Sequence, residues 1–341
     1  MADMITILNT IRDNASANYQ ERVPEATRTN LAEIQSAMVG EDISVANEFM
    51  QTLLNKIVKT SVVNKIFKNP LKALKKNKKP LGDTIEEIYT NFAKGKTADA
   101  VASDLLTRTL PDTKAVYHRM NLEMQYPVTI DRTRLAKAFT SYENLDAYVQ
   151  SIITSLYNGA ELDEFLNMKN LLKVALDNNA LKKVNIPDPL ESEANAKEFI
   201  KIVKNVSGYM CFPSTEFNSY LTAQTKDTKA IETFSSKNEQ VLIIDVATNT
   251  AVNVDVLASL FNMSVAEFND TKKIVVDTIP IEGARACLVD EAFFQIYDDL
   301  YAITNFYNGK GLYTNYYLNV WQTMAYSILV NGVVFVVDAE A

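Results

Sequence analysis

The feature that most constrains this chain is a run of apolar residues at helical spacing that continues where helices usually stop. From Glu143 to about Ala180, Leu145, Tyr148, Val149, Ile152, Ile153 and Leu156 recur three or four residues apart. After Gly159 the pattern resumes with Leu162, Phe165, Leu166, Met168, Leu171, Leu172 and Leu176. At ~1.5 Å per residue the helix would span roughly 57 Å, well beyond the usual length of about 11 or 12 residues. Ser141 is placed to cap it and Gly159 to kink it. No a/d heptad is sustained, so the expectation is a long helix lying across a sheet, not a coiled coil.

The flanks divide into distinct regions. Residues 1–60 are polar with scattered apolar positions, and helical spacing appears at Val45, Phe49, Leu53 and Ile57. Residues 61–126, punctuated by Pro70, Pro80 and Pro111, suit an extended excursion better than a compact core. PVTIDRTRLAKAF (127–139) reads as a short strand and a helical turn. After the breaker NIPDP (185–189), ANAKEFIKIVKNV reads as an amphipathic helix, VLIIDV (241–246) as a buried strand, VDVLASLFN (254–262) as a short helix and KIVVD (273–277) as a strand. That alternation predicts a small α/β domain over about 191–287. From Ala286 neither period is clean, and the segment is dense in aromatics from Phe293 to Trp321 before SILVNGVVFVVD closes it as a strand pair or one bent strand.

Most chemistry is missing. The sole histidine, His118, has no cysteine or second histidine near it and reads as an ordinary surface or interface residue, not a metal ligand. Cys211 and Cys287, 76 apart, read as two reduced core thiols. No G-x-x-x-x-G-K-[ST] or G-x-G-x-x-G loop is present, and Asn308-Gly309-Lys310-Gly311 reads as a plain turn. The opening MADMITILNTIRDN lacks the apolar core of a secretion signal, and no run of about 18 apolar residues suits a membrane span. No catalytic residue, metal or cofactor is expected. A net charge of −8 argues against a surface coated in nucleic acid. The aromatic tail carries only Lys310 as a base, so packing in a core or a subunit contact suits it better than base stacking.

One segment does invite a partner. Lys65, Lys68, Lys72, Lys75, Lys76, Lys78 and Lys79 place seven positive charges in fifteen residues with no acid among them, which leaves −15 for the rest of the chain. A solvated basic loop, a phosphate contact, and docking on the acidic surface of a neighbouring copy all fit. Directly after it, Gly82 and Asp83-Thr-Ile-Glu86 have the form of a helix start, with Asp83 as N-cap. Glu86 and Glu87 would then sit at the positive helix end, and Ile85 and Ile88 would share one face.

NPLKALKKNKKPLGDTIEEIYTNFAKGK, SYENLDAYVQSIITSLYNGAELDE, VDVLASLFNM, LVDEAFFQIYDDL and GLYTNYYLNVWQT together resemble, in this order, the major capsid proteins of small short-tailed bacteriophages of the phi-twenty-nine type. The likeness covers most of residues 60–335 and is weak over the first 60. It implies an α+β tailed-phage capsid fold of Hong-Kong-97 type: an N-terminal arm (1–60), an extended loop (61–126), a peripheral domain (127–190 with 288–341, spine helix about 143–180) and an axial domain (191–287). It further implies a virion protein, assembled in the bacterial cytoplasm, whose copies form pentamers and hexamers of an icosahedral or prolate shell around double-stranded DNA. A scaffold protein and a portal or connector are the implied partners. The chain ends at FVVDAEA, so the immunoglobulin-like C-terminal domain of some relatives is expected to be absent. Candidate contacts between copies are the seven lysines with Asp83, Glu86 and Glu87. Two other readings stand beside it: an encapsulin-like nanocompartment shell, and a monomeric nucleic-acid-binding protein.

Overall fold

The computed structural model describes residues 4–39, 43–57, 67–76, 84–97, 108–223, 229–252 and 273–337. The chain divides into two compact units: residues 1–69, 122–164 and 298–322, and residues 70–121, 165–297 and 323–341.

The first unit is built on helices. Four of them, α1 (Met4–Asp13), α2 (Ala17–Arg22), α3 (Leu31–Val39) and α4 (Ile43–Ile57), come from the segment that reads as mostly polar. Each turns a few apolar side chains inward: Leu8 and Ile11, Tyr19, Ile34 and Met38, then Val45, Phe49 and Leu53 at the expected helical interval. The N-terminus of α2 is fixed by Ser16, whose hydroxyl accepts from the Tyr19 N–H at 3.3 Å and donates to Glu48 at 2.9 Å. These side chains join one core with Leu145, Val149, Ile152 and Leu156 of the long helix.

That long helix is α6 (Tyr142–Asp177), 36 residues. Ser141 caps it as expected: its hydroxyl accepts from the Asn144 N–H at 3.1 Å. α6 is helical without a break through Gly159, the position expected to kink it. A Cβ at 159 would lie 3.5 Å from the ring of Tyr126, an ordinary contact distance. The ring lies against the helix and donates its hydroxyl to Asp163 at 3.0 Å. Tyr126 belongs to β3 (Leu122–Asp131), which is followed directly by α5 (Arg132–Ala138), capped by Asp131. The strand and helical turn read over 127–139 are thus present, with the strand beginning five residues earlier.

A three-stranded sheet in the order β3-β9-β8 uses β8 (Phe294–Asn308) and β9 (Tyr313–Tyr326). β3 and β9 run antiparallel from Leu122 opposite Gln322 to Asp131 opposite Tyr313. The aromatic tail, which shows no clean period in sequence, is therefore two long strands. In β9, Thr314, Tyr316, Leu318, Val320 and Gln322 point inward while Tyr313, Asn315, Tyr317, Asn319 and Trp321 alternate with them. Tyrosines stand on both faces, which hides the period of two from an apolar/polar reading.

The second unit centres on a mixed five-stranded sheet. Its order is β4 (Lys182–Ile186), β10 (Gly332–Val337), β7 (Ala284–Asp290), β5 (Gln240–Asp245) and β6 (Lys273–Val276). β4 and β10 are parallel, as are β5 and β6; β7 runs antiparallel to both its neighbours. Helix α7 (Glu193–Tyr209) packs Phe199, Val203 and Val206 on Leu242, Leu288, Val333 and Phe335. The rings of Phe199 and Phe335 meet edge to face with centroids 6.0 Å apart. VLIIDV and KIVVD are strands as expected, and SILVNGVVFVVD supplies one strand, not a pair. The sheet also takes 182–186 and 332–337, outside the 191–287 range read from alternation, because pairing across 150 residues leaves no local trace. The expected helix over 254–262 lies outside the described residues. Cys211 and Cys287 are free, with Cys287 buried and its thiol pushed up to about 12 by that burial.

Candidate interface between copies

The basic segment is ordered by leucines set between its lysines. Pro70–Leu74 forms one 3-10 turn in which Leu71 and Leu74 are buried while Lys72 stays exposed. Ahead of it, the Phe67 N–H donates to Asn158 Oδ1 at 2.9 Å, and Asn69 Nδ2 donates to the buried carboxylate of Glu164 at 3.1 Å. Gln322 Nε2 donates to the other Glu164 oxygen at 2.7 Å. After the turn, the Lys76 N–H donates to the Ile296 carbonyl at 2.9 Å and its Nζ to the Glu291 carbonyl at 3.2 Å. Lys68 and Lys72 are exposed; Lys75 and Lys76 are half-buried. Residues 67–76 are thus a packed turn from which Lys68 and Lys72 reach solvent. Lys65, Lys78, Lys79 and Asp83 lie outside the described residues.

The helix expected after Gly82 is not formed. Thr84–Thr90 is a strand, β1, paired antiparallel with β2 (Thr113–Arg119) in a two-stranded ribbon. The β-branched and aromatic residues in TIEEIYT favour a pleated surface, and a partner strand more than twenty residues later supplies the ladder. Ile85 and Ile88, three apart, suit a shared helix face but stand on opposite faces of a strand. Glu86 and Glu87 therefore point to opposite sides, and neither is placed at a helix end.

The inner face carries Ile85, Glu87 and Tyr89 with Lys114, Val116 and His118. Tyr89 and Val116 pack against Tyr220, Ile231 and Leu329. His118 is buried, not a surface residue: its Nε2 lies 3.0 Å from Glu87 Oε2. Ser327 Oγ donates to Glu87 Oε1 at 2.5 Å. Lys114 is 3.2 Å from Asp112 and 5.9 Å from the centre of the Tyr220 ring. Hydrogen bonds from Asn91 and Lys114 hold the Asp112 carboxyl below its ordinary value. Tyr89 donates to the Glu232 carbonyl, and burial, then the Glu232 charge, raise its phenol.

The outer face carries Glu86, Ile88, Ala115, Tyr117 and Arg119. Ile88 is 58% exposed and Tyr117 62%. Tyr117 donates to Glu86 Oε1 at 2.8 Å, and that bond, then the Glu86 charge, raise its phenol. At one end of the ribbon the half-exposed Phe92 stacks on Phe234 with centroids 6.2 Å apart. Sequence reasoning picked Glu87 for the wrong reason and missed His118, Ser327, Asn69 and Glu164. A buried polar pair leaves no spacing signal when its members are 30 to 240 residues apart. Among the described residues, no three His, Cys, Asp or Glu gather as a metal would require, and no helix is long and apolar enough to cross a membrane.

The profile of the Phi29-like phage major capsid proteins matches residues 8–336. The chain belongs to this family. The major capsid protein of Bacillus phage PZA is 35% identical over 334 residues, covering 97% of this chain and 72% of that protein. That of Streptococcus phage Cp-1 is 31% identical over 288 residues, covering 80% of this chain and 75% of the relative. A capsid structure of Staphylococcus phage Andhra is similar with a TM-score of 0.65 at 12% identity, covering 82% of this chain and 87% of the other. A structure of native bacteriophage P68 gives 0.60 at 11%, covering 81% and 86%. The fold is that of the tailed-phage capsid proteins, α+β as expected, and the Phi29-like protein is a structural component of the virion. Its relatives are structural proteins, and the resemblance drawn from the five sequence stretches holds from the N-terminal helices to β10.

Proposed function

We propose that copies of this chain assemble through pentamers and hexamers into a closed icosahedral or prolate shell around double-stranded DNA, and that the chain has no enzymatic role. The observation that carries the reading is the family match across residues 8–336. A shell needs heterologous contacts that close, each weak enough to be corrected: a contact of about −4 kcal/mol corresponds to only ~1 mM. The net charge of −8 suits a container that must release DNA, since a basic lumen would bind it. A scaffold protein and a portal are the partners such a pathway calls for.

For the contact between copies we favour the basic segment with the outer face of the ribbon. Lys68 and Lys72 offer charge to the acidic surface of a neighbour, and Ile88 and Tyr117, separately, offer apolar area. Of the acids, Glu86 belongs to that face; Glu87, turned inward, holds the ribbon in place. The four-part division into arm (1–60), extended loop (61–126), peripheral domain and axial domain remains our proposal for how the shell uses the chain. The test is expression of the chain with negative-stain microscopy and analysis of particle contents. Shells that fill with DNA in a phage-producing culture support the reading. Shells that co-purify with an enzyme cargo, or a 38 kDa species with salt-sensitive DNA binding, overturn it. Replacing Lys68 and Lys72 by Glu should abolish shells from a folded chain; normal shells from that variant would remove the basic segment from the interface.

A further inference from the structure

Three Asn-Gly bonds occur in the chain: Asn158-Gly159, Asn308-Gly309 and Asn331-Gly332. Such bonds are chemically vulnerable, because glycine has no Cβ to hinder attack of its own backbone nitrogen on the preceding side-chain amide. The structure treats the three very differently. Asn158 lies inside α6, where the Gly159 N–H is a helix donor, and its Oδ1 accepts from the Phe67 N–H. Asn331 is fully buried; the Gly332 N–H donates to the Phe217 carbonyl at 3.0 Å, and Asn331 Nδ2 has no partner. In both, the attacking nitrogen is engaged, and Asn331 is shut off from solvent as well.

Asn308 ends β8 at an exposed turn running from Gly309 to Leu312. Its Oδ1 accepts two backbone N–H groups, from Lys310 and from Gly311, each at 3.0 Å. Its Nδ2 donates to the Tyr313 hydroxyl at 2.8 Å. The Tyr313 ring lies so close over residue 311 that a Cβ there would collide with it, so Gly311 is what lets the phenol reach Asn308. Two fixed N–H donors on a carbonyl oxygen form the arrangement that stabilises an oxyanion. A hydroxyl that accepts from the leaving nitrogen can become its general acid once that nitrogen, pyramidal in the tetrahedral adduct, turns from donor to acceptor.

We propose that this turn is a self-modification site, at which Asn308 deamidates with assistance from its own surroundings. The Gly309 backbone nitrogen gives its proton to solvent and bonds to Cγ of Asn308. Oδ1 takes the negative charge while the Lys310 and Gly311 N–H groups hold it. The Cγ–Nδ2 bond then breaks, and ammonia leaves with a proton from the Tyr313 hydroxyl, which recovers one from water. Water opens the resulting five-membered imide at either carbonyl, giving aspartate or isoaspartate. The net change is amide plus water to carboxylate plus ammonium, with no oxidant or cofactor. It adds one negative charge beside Lys310 at the hairpin tip.

The test is peptide mass spectrometry of the full chain aged in mildly alkaline buffer, folded and in urea. In urea the three bonds share one environment and serve as the reference. In the folded chain Asn308 should convert roughly tenfold faster than its urea reference, a modest share of what a positioned proton donor can supply, while Asn158 and Asn331 should convert more slowly than theirs. Tyr313→Phe, checked for native circular dichroism, should remove most of the excess at Asn308 and leave the other two unchanged. An Asn308 rate in the folded chain at or below its rate in urea overturns the proposal without recourse to any variant. An unchanged rate in a folded Tyr313→Phe chain removes the general-acid role on which it rests.

Discussion

Two strands of the second unit make opposite use of the same backbone geometry. β5, QVLIID, is buried at every position. β1, TIEEIYT, alternates between half-buried and exposed along its whole length. β5 lies between two other strands under α7, so its centre, VLII, is a continuous apolar run. Among the described residues β1 has one strand beside it and one covered face, so only every second residue is held. In β5 and its neighbours a side chain is chosen for volume. In the ribbon, the inner face is chosen for polar pairing and the outer face is available to something else. Loss of stability should therefore come from the sheet, and loss of assembly without loss of stability from the ribbon's outer face.

The largest effect should come from the sheet. Phe335→Ala empties a fully buried site against Phe199 and should cost about 3–5 kcal/mol in urea or guanidinium unfolding. A loss below about 1 kcal/mol would mean that this core collapses around the gap and is less tightly packed than its burial suggests. Next is the ribbon's inner face. His118→Leu leaves the Glu87 carboxylate with one of its two side-chain partners and should cost ~1–3 kcal/mol. The same unfolding curve would record it, and an effect near zero would mean that the ribbon is not held by this pair.

A smaller effect should appear where Asp188, just after β4, lies 2.6 Å from Arg285 at the start of the central strand β7. Burial opposes the charged form, but the hydrogen bond from Arg285, with help from the Leu190 N–H and the Arg285 charge, holds the carboxyl below its ordinary value. A depressed carboxylate contributes stability that is present above the unfolded pKa, about 4, and is lost as pH falls through the folded value. Asp188→Asn should thus cost under about 1 kcal/mol near neutrality, and the gap to the parent should close below pH ~4. A gap that stays constant down to strongly acidic pH would show that the pair contributes through shape, not charge.

The smallest change in stability should come from the ribbon's outer face. Ile88→Ser and Tyr117→Ser together should stay within about 0.5 kcal/mol of the parent. If the outer face meets a neighbouring copy, the same double variant should fail to form shells by negative-stain microscopy. Normal shells from it would leave the comparison intact for stability and end it for function.

The strongly periodic or continuously apolar segments were legible in advance. The length of α6, its Ser141 cap, the helix of Val45, Phe49 and Leu53, α7, β5 and β6 all carry their signal within one element. The misread positions share a different property. Thr84–Thr90 has isoleucines at an interval that suits a helix, and only β2, arriving from residue 113, makes it a strand. His118 has no ligand-like neighbour in sequence, yet it is buried because β1 brings Glu87 to it. Gly159 carries no local sign that the Tyr126 ring, from a strand more than thirty residues earlier, lies beside it.

The sequence by itself determined the family, the absence of a mononucleotide or dinucleotide loop motif, the long helix and the identity of the buried central strands, because each is written in consecutive residues or in a fixed local period. Tertiary structure alone decided which strands share a sheet, which lysines are held by buried leucines on either side, and that Glu86 and Glu87 face opposite ways. It also decided which of three identical Asn-Gly bonds is surrounded by groups that can act on it. Those outcomes depend on contacts between residues tens to hundreds of positions apart, and a chain records such contacts only when it folds.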